Sequence, residues 1–276
     1  MQSNVFPPDS VAYFPVSLSD VNVPGYDAGN FQAVVRQDTG KVLGVHRRGY
    51  NLVPNREIFT RFEDVLFNSG IDLNGLEVKD DLAQEGRMVV RSYIFPAVTN
   101  EPQVGDIVRF ALKVTNSYDG GAAFRAIMSG LRLVCTNGMV VPSNKASTVY
   151  GRHTSGFSPD RAVSKILFAV DSFLNLWAKQ WARWSEREIT ADAAMAVFQA
   201  MPDINQRLLA KLEEAWGIES AQAGTTVWGL YNALTRWSTH AEVRPSSAGN
   251  RAAIVLDREA KVDQVIRSPE FARLSA

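Results

Sequence analysis

Apolar-rich runs at Phe31–Arg36 and Lys41–His46 flank the polar tetrad Gln37-Asp38-Thr39-Gly40, a pattern that predicts a β-hairpin. Asn55 is then placed to cap a helix whose apolar face is Ile58, Phe59, Phe62, Val65 and Leu66, with Gly70 as its stop. Leu76–Ala83 and Arg87–Phe95 surround Gln84-Glu85-Gly86 and predict a second hairpin. Val98–Asp106, polar and carrying Pro102 and Gly105, reads as a loop. Ile107–Thr115 and Ala122–Cys135 flank Asn116 to Gly121, whose Asn, Asp and Gly residues tolerate positive φ. Alternation along the first of these strands puts Arg109 and Lys113 on one face. A second turn follows at Thr136-Asn137-Gly138, and Pro142–Phe157 reads as a long Gly/Ser-rich loop.

Beyond it the period changes to that of a helix. Ser158-Pro159-Asp160 supplies a cap, a proline at the first position and an acid in the first turn. The pattern runs on to about Glu188, with Ile166, Phe173, Trp177, Trp181 and Trp184 on its apolar side. The three tryptophans read as core rather than as a base-stacking platform. Lys179, Arg183 and Arg187 form a row on the same helix, read as a solvated face. Further helices are predicted at Ala191–Met201, Ile204–Trp216, Thr226–His240 and Asn250–Val265, with a short last one opened by Ser268-Pro269-Glu270. The fold class is therefore α+β: antiparallel β-hairpins with a helix in the N-terminal half, followed by a mainly helical C-terminal half. Residues 1–157 form the β-rich domain and 158–276 a helical region packed on it, with one continuous domain as the alternative.

Composition narrows the functional classes. The chain has 276 residues, of which 46% are hydrophobic and 21% charged, enough to bury a core and too apolar for a disordered chain. The 29 Lys and Arg are balanced by 29 Asp and Glu, which excludes a uniformly basic nucleic-acid binder but not a locally basic one. The balance is uneven. Residues 107–165 carry Arg109, Lys113, Arg125, Arg132, Lys145, Arg152, Arg161 and Lys165 against only Asp119 and Asp160. Such a block is either an anion-contact surface or is neutralised by carboxylates from elsewhere in the fold. No run reaches the ~20 apolar residues of a membrane span, and MQSNVFPPDS lacks the build of a signal peptide, so a cytoplasmic protein is expected.

Specific chemistry is sparse. Cys135 is the sole cysteine, which rules out an intrachain disulfide and a cysteine-based zinc site, and no local base would activate it as a nucleophile. His46, His153 and His240 have no metal-binding spacing, so no metal and no cofactor is expected. Neither a phosphate-binding GxxxxGK[ST] loop nor a GxSxG elbow occurs. Asp80 and Asp81 are adjacent but point to opposite faces of a strand.

Four blocks together resemble a known family. They are Val42-Leu43-Gly44-Val45 through Tyr50-Asn51-Leu52-Val53-Pro54-Asn55; Asn116-Ser117-Tyr118-Asp119-Gly120; Arg132-Leu133-Val134-Cys135-Thr136-Asn137-Gly138; and Asn232-Ala233-Leu234-Thr235 with His240. Their order and spacing are similar to phage/plasmid-like proteins classed as domain of unknown function 932. The resemblance implies a gene of a mobile element in a bacterial host; it brings no catalytic residue with it. With the basic block, and an element order similar to single-strand annealing proteins, it leads to one main expectation. The protein binds nucleic acid, single-stranded DNA in particular, for recombination or replication, as a homo-oligomer and without catalysis. Arg109, Lys113, Arg125, Arg132, Lys145 and Arg152 are the phosphate contacts, and Tyr118 or Phe124 the stacking ring. The alternatives are a non-catalytic interaction protein or host-directed antagonist and, behind them, a nucleic-acid- or nucleotide-processing enzyme using Asn116, Asp119, Asn137 and His153.

Overall fold

Val16 and Leu18 alternate with serines and lean on the core, and this short run forms β1 (Val16–Asp20), an element the hairpin pattern alone does not predict. The computed structural model describes residues 5–120, 124–134, 137–140, 148–151 and 159–276. β1 pairs with β2 (Phe31–Arg36), and β2 with β3 (Lys41–Arg47), in an antiparallel sheet of order β1-β2-β3. The predicted turn joins β2 and β3, with Gly40 at a φ of +70°.

The larger sheet is antiparallel throughout. β4 (Glu77–Ala83), β5 (Met88–Asn100), β6 (Val108–Ser117) and β7 (Phe124–Arg132) follow one another in chain order. Two short strands share the far side of β7. β8 (Gly138–Val140) pairs with residues 129–131, and β9 (Thr148–Gly151) with residues 124–127. β9 corrects the reading of Pro142–Phe157 as loop throughout; the rest of that segment, with Lys145, Arg152 and His153, lies outside the described residues, as does Cys135. β5 also outruns its expected end. A register shift between Phe95 and Thr99, at Pro96, lets the strand resume to Asn100 where a loop was expected.

The register sorts the two faces of this sheet. Arg91, Tyr93 and Phe95 on β5 pair with Val114, Leu112 and Phe110 on β6, and those with Ala126, Met128 and Gly130 on β7. This inner face carries the core. α1 (Asn55–Asn68) lays Phe59, Phe62, Val65 and Leu66 on it. Pro54, not Asn55, occupies the cap position and makes no side-chain cap bond; Asn55 is fully buried instead.

The second half is helical. α2 (Pro159–Asp171) and α3 (Ala178–Glu186) form one rod joined through a π-helical stretch at Ser172–Trp177. The sequence pattern predicts an unbroken α-helix there; the wider turn shifts the phase, and Phe173, Trp181 and Trp184 all reach the core. α4 (Ala191–Gln199), α5 (Gln206–Ala223), α6 (Val227–His240), α7 (Arg251–Ile266) and α8 (Pro269–Ser275) follow. Thr190, Asn205, Thr226 and Ser268 cap α4, α5, α6 and α8 through their side chains. One hydrophobic core joins both halves, running from Phe62 through Phe110 and Trp181 to Leu234 and Phe271. No helix among the described residues is long and apolar enough to cross a membrane.

Candidate nucleic-acid interface

Five of the seven expected contact residues are described, and strand register divides them. Arg109, Lys113 and Arg125 point to the outer face, since Lys113 pairs with Ile127 and the neighbouring Thr115 with Arg125. Arg109, half-buried on β6, donates from Nη1 to Glu77 of β4 at 2.8 Å. Lys113 donates to Glu259 of α7, which crosses this face. Arg125 is half-buried and has no carboxylate partner among the described residues.

Arg132 is a correction. It pairs with Val108, which places it on the inner face, where its side chain is only 2% exposed. Its Nε donates to Asp106 at 2.6 Å and its Nη1 to Glu219 of α5 at 2.7 Å. Burial alone would lower its pKa; the bonds to Asp106 and Glu219 outweigh that and hold it up, so the guanidinium stays charged. Trp228 of α6 donates from Nε1 to the other Asp106 oxygen at 2.8 Å, and Asn137 from Nδ2 to Glu219 at 3.1 Å. Nothing of this guanidinium faces a strand of nucleic acid.

Tyr118 is the second correction. Its ring is fully buried against Phe14, so it offers no stacking face. Its hydroxyl accepts the backbone N–H of Asn55 at 2.8 Å, and burial pushes its pKa up. Phe124 has no described side chain. The charge neutralisation weighed against the anion surface thus accounts for Arg132 and Lys113 and, in part, for Arg109.

The blocks that carried the family resemblance converge in two places. At the first, Asn116 donates to the Asn55 side-chain oxygen at 2.6 Å, and Asn55 donates to the Ala12 carbonyl at 2.9 Å. His46 bonds through Nε2 to the Tyr118 carbonyl at 2.7 Å and stacks on Tyr50 with ring centroids 3.8 Å apart. Gly44 fits because a Cβ there would lie 2.2 Å from that same carbonyl oxygen. These contacts dock the small sheet on the β6–β7 turn. At the second, the Arg132 network is joined by α6. Thr239 accepts the Gly138 N–H at 3.1 Å, and Tyr231 donates to the Val140 carbonyl at 2.5 Å. Asn232 donates within the helix, to the Trp228 carbonyl at 2.8 Å. Asn116 and Asn137 belong to different networks, so the polar pocket posited for an enzyme does not assemble from them. Among the described residues, no group of three His, Cys, Asp or Glu is placed to hold a metal ion.

One buried network escaped the sequence reading. Arg91, fully buried on β5, bonds to Asp80 through Nε at 2.7 Å and Nη2 at 2.8 Å, and to Glu63 of α1 at 2.8 Å. Tyr13 accepts from it as well, and Ser10 donates to Asp80, so the N-terminal segment is tied to the sheet. The available signal was a lone arginine in phase with Val89, Tyr93 and Phe95.

The molecule is therefore an α+β protein in which these four blocks hold two sheets and a helical layer together through buried polar bonds. The chain belongs to the family described as Domain of unknown function (DUF932), whose model matches residues 42–264. No curated protein and no solved structure matches the chain.

Proposed function

We propose that the protein binds single-stranded nucleic acid, DNA in recombination or replication of a phage or plasmid, without cleaving it. The observation in support is the common outer face of Arg109 and Arg125 on adjacent strands, beside Lys113, which Glu259 of α7 holds. The ion pair of Arg109 with Glu77 is partly solvated and worth no more than about 1 kcal/mol, so a phosphate can replace the carboxylate at small cost. The strand is held by charge, and affinity falls linearly with the logarithm of salt concentration. The protein works in the cytoplasm of a bacterial host as a homo-oligomer, since one such face spans few nucleotides.

The test is a salt series of binding titrations with labelled single-stranded oligonucleotides. Arg125→Glu and Arg109→Glu are expected to weaken binding for all sequences alike and to flatten the salt slope. Binding that ignores salt, or none at low salt, ends this reading.

A second reading has an observation of its own. Leu167, Phe168, Leu174 and Leu176 along the α2 rod are between 42% and 59% exposed. Apolar surface of this kind fits a protein partner. Light scattering on the wild type and on Leu174→Glu/Leu176→Glu separates self-association from a monomer that needs another partner.

A further inference from the structure

Away from the sheet, α5, the segment after α6 and α7 border an open, shallow cleft of about 380 Å³ lined by Arg207, Lys211, Arg244, Arg258, Ser247 and Glu242, with apolar Val243 and Ile254. Four cations there face a single carboxylate. Arg207 and Lys211 are one helical turn apart on α5, a like-charge spacing that costs a helix free energy unless an anion offsets it. Neither they nor Arg244 forms an ion pair among the described residues, whereas most other arginines of the described chain do.

Arg258 is built in rather than draped over the surface. Its Nη1 donates to the Ala241 carbonyl at 2.6 Å and its Nη2 to the Glu242 carbonyl at 3.1 Å, at the C-terminal end of α6. Its guanidinium lies 5.7 Å from the Trp237 ring centre. Those bonds fix the fork and leave further N–H donors uncommitted. Burial first, and then the nearby charge of Arg251, lower its pKa, with Asp257 pulling the other way.

We infer that this cleft is a binding site for a phosphate monoester, with Arg258 and Arg207 as the forked donors, Lys211 and Arg244 as further charges and Ser247 as a neutral donor. Planar guanidinium groups match phosphate oxygens in pairs, and the cleft has room for a phosphate and part of what carries it. The site lies on the helical layer and does not rest on the outer face of the sheet. The phosphate belongs either to a free nucleotide or to the 5′ end of a strand.

Calorimetric titration of the full chain with inorganic phosphate, deoxyadenosine monophosphate and oligothymidylate bearing a 5′-phosphate or a 5′-hydroxyl tests it, each at the same ionic strength set with chloride. Phosphate-bearing probes are expected to bind, and Arg207→Ala/Lys211→Ala to weaken them by about tenfold or more, the loss of at least one charge-assisted hydrogen bond. Arg244→Ala, at an exposed position, is the second variant, should the first disturb α5. Preference for the 5′-phosphorylated strand assigns the site to strand ends; preference for the mononucleotide assigns it to a free nucleotide. Equal response to chloride and phosphate, or unchanged binding in both variants, overturns the site. Arg125→Glu should leave phosphate binding intact, so failure of strand binding at the sheet and failure of this cleft are read separately.

Discussion

Arg132 of β7 and Glu219 of α5 meet at 2.7 Å with side chains 2% and 0% exposed, across 87 positions of sequence. The pair joins the large sheet to the helical layer, with Asp106, Trp228, Asn137 and Arg236 around it, the last donating to Glu219 at 3.3 Å. Arg132→Met takes the cation from buried Asp106 and leaves Glu219 with the more distant Arg236. The expected loss is about 3–5 kcal/mol of stability, measured by urea denaturation. Unfolding at the wild-type midpoint would mean the network contributes nothing.

Glu77 restrains Arg109 on the outer face. Glu77→Gln removes the competing carboxylate and one negative charge near the proposed track. Single-strand affinity should rise and the salt slope steepen, while stability changes by less than about 1 kcal/mol. Unchanged affinity in the titration would take Arg109 out of the interface.

Gly44 has the Tyr118 carbonyl where a side chain would begin. Gly44→Ala must push the β6–β7 turn away from β3 and break the His46 bond. A loss of about 1–3 kcal/mol is expected, as for other overpacked sites, with His46 ring shifts in the nuclear magnetic resonance spectrum reporting the local break. A variant as stable as the parent would show that this docking is loose.

Glu63 is pushed above its ordinary value of 4.5, by burial first, with Arg91 and Tyr93 pulling the other way. Burial would also lower the pKa of Arg91, but its bonds to Asp80 outweigh that, so Arg91 remains charged. The folded chain thus holds the Glu63 proton more tightly than the unfolded chain does. The resulting stability is full below 4.5 and is lost as pH rises through the higher folded value. Unfolding midpoints from about pH 4 to about pH 8 should therefore decline less in Glu63→Gln than in the wild type. Parallel curves would place the titration elsewhere.

Local periodicity determined most of the elements by itself. β2, β3, α1, β6 and the helices after residue 158 follow from alternation, caps and turn residues, because those signals act over a few neighbouring positions. It also placed Arg109 and Lys113 on one face of β6. Tertiary structure decided which charges remain available. A strand's alternation says that two residues share a face but not what covers it, and α5 and α7 bring Glu219 and Glu259 to Arg132 and Lys113 from far along the chain. The same packing gathered Arg207, Lys211, Arg244 and Arg258 into one cleft, although none stands out in a segment of nearly balanced charge. Burial made the difference. A charge in water needs no particular partner, whereas a charge taken out of water must have one, and only the folded chain fixes which.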